Sequence, residues 1–219
     1  MTYPSPPWTL RGSAWLCLHW LEVERVRPLI PPALDILQLG GKTLGGVYLA
    51  RYGEGSALSY HELIVVAGLV QPGGTIGHKH PLAIGSWISH IYVDLPDSVA
   101  GGREIWGLPK ELAVFDWSAE QIQVFQGDHL LCRFQPDRPW WLWRQSLPPV
   151  QTFSQKPPDS DNAQFIRFAI AGSSQWGLSQ GRLTVPPESN FASLALGQPW
   201  LTLGLNHLEF TVMPPSALG

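Results

Sequence analysis

QIQVFQG, residues 121–127, alternates amide and apolar side chains and then stops at a glycine. Successive side chains of a strand point to opposite faces, so a period of two marks a strip with one face buried and one wet. The same alternation returns at Glu209–Phe210–Thr211–Val212–Met213. Working outward, β-type runs occupy much of the chain: SAWLCLHWLEV, LGGVYLARYG, YHELIVVAGLV, ISHIYVDL, ELAVFDW, HLLCRFQ, QFIRFAIAG, GRLTVP and HLEFTVMP. Gly (22) and Pro (21) fall between the runs as punctuation and form no low-complexity tract. The pattern predicts a mainly β fold built on an antiparallel sheet, either closed or a sandwich. Helical signals are few. Residues 22–30 read as one short helix stopped by Pro31–Pro32, and 97–102 as another, with Asp97 or Ser98 as its N-cap. The polar break at 154–162 reads as a surface loop, which leaves 1–219 as a single domain.

Composition narrows the function classes. At 44% hydrophobic and 14% charged, the 219 residues can fill a core, and they carry fewer charges than the ~25% of an average domain. A net charge of −3 without a basic run argues against nucleic acid or an anionic membrane surface as partner. The longest apolar run, 63–70, falls far short of the ~20 residues that span a bilayer, and the N-terminus lacks the pattern of a signal peptide. Cys17 and Cys132 sit alone in apolar sequence and read as buried free thiols, so a cytoplasmic protein is expected. The eleven tryptophans, Trp140, Trp141 and Trp143 among them, are expected to fill a wide β core or a lipophilic pocket.

Two residues stand out chemically. Lys110 follows Pro109 in GGREIWGLPKEL (101–112), near Trp106, Leu108 and Leu112. An ordinary lysine is protonated near neutral pH and is no nucleophile; apolar surroundings disfavour the ammonium and free the amine. The competing reading is a surface lysine. Glu62 enters the apolar run of SYHELIVV, where an ionised carboxylate needs a partner and can exchange protons with a substrate. The competing reading is a strand-end glutamate facing water. Arg103 either grips a substrate carboxylate as a bidentate fork or braces the loop. His78 and His80 make a conceivable metal pair, but glycine and proline flank them and no acidic or thiol residue lies close, so no metal site is expected. The sequence has no nucleophile elbow, P-loop or dinucleotide fingerprint.

These segments resemble the acetoacetate decarboxylase superfamily. GGREIWGLPKEL resembles its G-R-E…P-K segment, SYHEL its S-Y-x-E segment, and VRPLIPPALDIL its N-terminal segment, in the same order over roughly 8–120. LGGVYLARYGEGSALSYHELIVVAGLV is similar in particular to the plant neoxanthin-deficiency branch. The resemblance implies a cone-like antiparallel β barrel with a central apolar cavity, usually in a homo-oligomer. It implies Lys110 as Schiff-base nucleophile, a logic for which acetoacetate decarboxylase is itself a standard illustration. It further implies Glu62 as acid/base and Arg11 as the first-strand arginine, all catalytic, with Arg103, Trp106, Tyr60 and Leu108 as substrate-binding residues. The implied substrate is a small β-keto or related oxo acid, with no cofactor. Binding of a lipophile such as a carotenoid precursor is the rival function. One departure stands out: Glu111 occupies the place of the family's second lysine, and a carboxylate aimed at Lys110 would favour its ammonium.

Overall fold

The computed structural model describes residues 3–74, 77, 83–156 and 164–218. In chain order the strands are β1 (Trp8–Glu22), β2 (Leu34–Ile36), β3 (Lys42–Tyr52), β4 (His61–Pro72), β5 (Gly85–Val93), β6 (Lys110–Leu112) and β7 (Val114–Trp117). They continue as β8 (Ile122–Gln126), β9 (His129–Gln135), β10 (Trp140–Lys156), β11 (Gln164–Ser179), β12 (Arg182–Thr184), β13 (Leu201–Val212) and β14 (Ser216–Ala217). Helix α1 (Val23–Val26) runs on into a 3-10 turn over Arg27–Leu29, as the sequence predicts, and α2 spans Pro96–Trp106.

Seven strands close a ring in the order β4–β3–β1–β13–β11–β10–β5, and β5 returns to β4. Every contact around the ring is antiparallel except β10 on β5, which runs parallel and is registered at Thr152↔Ser86 and Phe153↔Trp87. Each ring strand alternates. Tyr48, Ala50 and Tyr52 of β3 and Glu62, Ile64 and Val66 of β4 face the interior cluster or cavity, while Val47, Leu49, Leu63 and Val65 face out. Onto that outer face packs a second sheet, ordered β12–β9–β8–β7, through Ile122, Val124, Cys132, Phe134 and Leu183. The opening QIQVF is therefore a strand of this cover, with Ile122 and Val124 fully buried.

Several expectations change. β10, the longest strand, is absent from the sequence reading; it crosses Pro148–Pro149 with a register shift between Leu147 and Val150. Ser154–Lys156, read as the start of a polar loop, are its last residues. Helix α2 runs four residues past the predicted end, and its N-cap is Leu95, not Asp97 or Ser98. The tryptophans are not all core. Trp140 is 82% and Trp143 68% exposed, and Trp20 stacks on Trp200 at the surface. Both cysteines are free and buried, and burial pushes the Cys17 thiol up to about 12. His78 and His80 lie outside the described residues. Among the described residues, no helix is long and apolar enough to cross a membrane.

Candidate active site

The ring encloses a cavity of about 250 Å³. Leu10, Ile64, Val66, Ile88, Phe168 and Leu203 are typical of its wall. Lys110 and Glu62 stand within it, their side chains only 4% and 5% exposed.

Lys110 reaches this place because of the segment before it. Helix α2 ends at Gly107, whose φ of +59° suits a left-handed cap, and the Gly107 N–H returns to the Arg103 carbonyl at 3.0 Å. Pro109 then starts an extended turn, and β6 pairs parallel with β5 at Ile91↔Lys110. Adjacent side chains of a strand point oppositely. Lys110 therefore enters the barrel while Glu111 lies outside, accepting from Gln126 Nε2 at 2.5 Å. The acidic neighbour is thus aimed away from the amine.

Inside, the ammonium of Lys110 spends its three donors locally. Nζ donates to Glu62 Oε1 at 2.8 Å and to Ser98 Oγ at 3.0 Å, with a long contact to the Tyr60 hydroxyl at 3.5 Å. It also lies 5.0 Å from the centroid of the Tyr60 ring, within cation–π range. The other Glu62 oxygen accepts from the Tyr52 hydroxyl at 3.1 Å, and the Tyr52 and Tyr48 hydroxyls pair at 3.2 Å. Burial above all holds the Tyr52 and Tyr60 phenols well above the usual tyrosine value; the Glu62 charge adds to this in both. These rings are therefore hydrogen-bond donors at every ordinary pH. A buried ion pair stands only when its remaining polar atoms are satisfied, and Tyr52 and Ser98 supply that here.

The structure brings Lys110, Glu62, Tyr60, Trp106 and Leu108 together on one cavity. It does not bring Arg11 there. Arg11 lies on β1 at the surface, its side chain 50% exposed, paired with Glu209 at 3.2 Å across the β1–β13 ladder. Arg103 takes the second of its two readings, as a brace of the loop. Its guanidinium is on the exposed side of α2, where Nε donates to the Lys110 carbonyl at 2.7 Å, bracing the chain behind the amine. Ser98 and Tyr52 join the site without a motif to mark them. Ser98 reads equally well as a helix cap, whereas the Tyr48–Tyr52 alternation within VYLARY is the signal that both rings share the face of the cavity. Among the described residues no cluster of three metal-ligating side chains occurs.

The family model for acetoacetate decarboxylase matches residues 1–135. Protein NEOXANTHIN-DEFICIENT 1 of Solanum lycopersicum is 34% identical over 113 residues, 52% of this chain and 36% of that protein. The chain thus matches about a third of the length of its curated relatives. Among solved structures, acetoacetate decarboxylase of Legionella pneumophila superposes with a TM-score of 0.76 at 16% identity, covering 100% of this chain and 90% of that one. The enduracididine biosynthesis enzyme MppR in complex with pyruvate gives 0.72 at 12% identity, covering 100% and 92%. At such identities the likeness is one of fold.

Proposed function

Because the chain belongs to the acetoacetate decarboxylase family, we propose that it is a Schiff-base enzyme in which Lys110 condenses with the carbonyl of an oxo compound. The observation that carries this reading is the 2.8 Å contact between Lys110 Nζ and Glu62 Oε1 inside an apolar cavity. Moving the proton from nitrogen to oxygen along that contact leaves a neutral amine beside a carboxylic acid. The amine attacks the carbonyl carbon, Glu62 protonates the departing oxygen, and water leaves an iminium. The iminium withdraws electrons from the neighbouring carbon. From a β-keto acid, the family's implied substrate, it would release CO2; from any oxo compound it acidifies the adjacent C–H. Glu62 is the base or acid that handles the resulting proton. That MppR shares the fold and was captured with pyruvate supports carbonyl chemistry in such a barrel.

The apolar wall favours one rival, retention of a lipophilic molecule without reaction. The cavity lies just below the ~300–1,000 Å³ of drug-sized pockets, so a long polyene would have to project from it. We treat residues 1–219 as one functional unit and expect a homo-oligomer, whose contacts would cover exposed side chains such as Trp140 and Trp143.

Borohydride reduction with a panel of oxo compounds, followed by peptide mass spectrometry, tests the proposal. A reduced adduct on Lys110 is expected, absent in Lys110→Ala. Ligand retention by Lys110→Ala without any adduct in the native protein would transfer the function to the rival.

A further inference from the structure

We infer that the substrate is a neutral, apolar ketone or aldehyde, and that the reaction turns on proton transfer at its α-carbon rather than on loss of a carboxylate. This rests on the imine reading above and narrows its substrate. Among the described residues lining the cavity, Lys110 and Glu62 are the only charged ones, and they neutralise each other. Neither of the two arginines singled out in the sequence lines the cavity: Arg11 is engaged with Glu209 at the surface, and Arg103 with the Lys110 backbone.

The charge balance of the condensation points the same way. The paired ammonium carries both hydrogens that the departing water requires. One N–C bond forms and becomes C=N, the C=O bond breaks, and its oxygen leaves as water with two of the three ammonium hydrogens. The site begins as one cation beside Glu62 and ends as one iminium cation beside Glu62. A neutral substrate preserves this balance at every stage. An acid would add a second carboxylate against a single cation in a wall that excludes water, which is a costly burial.

The polar groups offered to a substrate are likewise neutral. The Tyr48, Tyr52 and Tyr60 hydroxyls, on residues that line the cavity, stay protonated. Once the iminium has formed, Glu62 is the base beside it. The carboxylate takes an α-hydrogen, the C–H pair becomes the enamine double bond, and the iminium π pair returns to nitrogen. Reprotonation and hydrolysis release the carbonyl compound.

The test uses the whole chain in D2O with two matched probes, a methyl ketone bearing a pentyl tail and the β-keto acid bearing the same tail. Borohydride adducts on Lys110 are quantified by mass spectrometry, and α-deuteration of the recovered ketone is followed by NMR. The ketone should be trapped at least about tenfold more than the acid, the ratio expected from even a modest penalty for an unpaired buried anion. Its α-deuteration should disappear in Glu62→Gln. Trapping of the acid equal to or above the ketone would overturn the neutral-substrate inference and leave imine formation standing. No adduct with either probe would overturn imine formation itself.

Discussion

Gly102 and Lys110 compete for one volume: a Cβ built on Gly102 would lie 2.4 Å from Lys110 Cδ and 2.7 Å from Cε. The lysine stem runs directly over the backbone of α2, which is why a glycine interrupts that helix. Its neighbour Gly101 leaves the same kind of space for Trp8, since a Cβ built there would lie 2.6 Å from the ring. The GG of the lysine segment is thus a packing requirement for the amine and for the aromatic pair of Trp8 and Trp106, whose rings meet edge-on at 4.8 Å.

Gly102→Ala should therefore displace the amine. Overpacking of this kind costs about 1–3 kcal/mol, and the borohydride adduct on Lys110 should drop several-fold while the protein remains folded by circular dichroism. An unchanged adduct yield would show that the stem has room to move.

Removing one partner of the buried pair is expected to cost more than removing both. Lys110→Met leaves Glu62 without its cation, and such losses run at about 3–5 kcal/mol. The double variant Lys110→Met/Glu62→Gln should recover much of that. Urea midpoints of the two singles and the double provide the comparison; a double variant as unstable as the sum of the singles would mean that the pair does not act as a unit.

Arg11→Ala separates the surface assignment from the catalytic one. Its pair with Glu209 is half exposed, so the loss of stability should stay within about 1 kcal/mol. Adduct yield should stay at the native level, because Arg11 does not line the cavity that holds Lys110. A loss of trapping would return Arg11 to the chemistry.

His19, buried beneath Leu196, gives a pH signature. Burial lowers its pKa below 6.5, although the Leu196 carbonyl 2.8 Å from Nδ1 works in the opposite direction. The folded protein keeps the ring neutral, whereas the unfolded chain protonates it at about 6.5. Stability should thus hold above that value and decline as pH falls through the window between the unfolded value and the lowered folded one. His90, lowered by the same cause, adds to the slope. Thermal midpoints from neutral pH to pH 5 should decline less steeply in His19→Gln than in the native chain.

Much of the site could be read before the structure, and the reasons differ residue by residue. Lys110, Glu62, Tyr60, Trp106 and Leu108 line one cavity, because two local motifs carry them and the strands hold each motif rigidly. Arg11 rests on the family resemblance of the first strand, with no local motif to fix its face, and the pleat sends it outward to Glu209. Ser98 escaped because a serine near a helix start satisfies the capping rule equally well, and only the tertiary fold turns its hydroxyl to Lys110. The ten β-type runs all correspond to strands. β10 did not announce itself, since a Pro-Pro pair ordinarily argues against a strand interior; here the ladder shifts register around it. Its exposed tryptophans misled in the same way, because a side chain's size does not say which face of the strand it occupies.

The parallel junction of β10 and β5 is the narrowest join in the ring, pinned at Thr152↔Ser86 and Phe153↔Trp87. Parallel ladders hold slightly less firmly per residue than antiparallel ones. The Ser86 and Thr152 hydroxyls that clasp it at 3.0 Å belong to residues of the cavity wall. Breathing of the barrel will concentrate there, and each opening will lead directly into the chamber that holds the amine. Amide exchange at Thr152 and Phe153 should therefore outpace that along the long β1–β13 ladder.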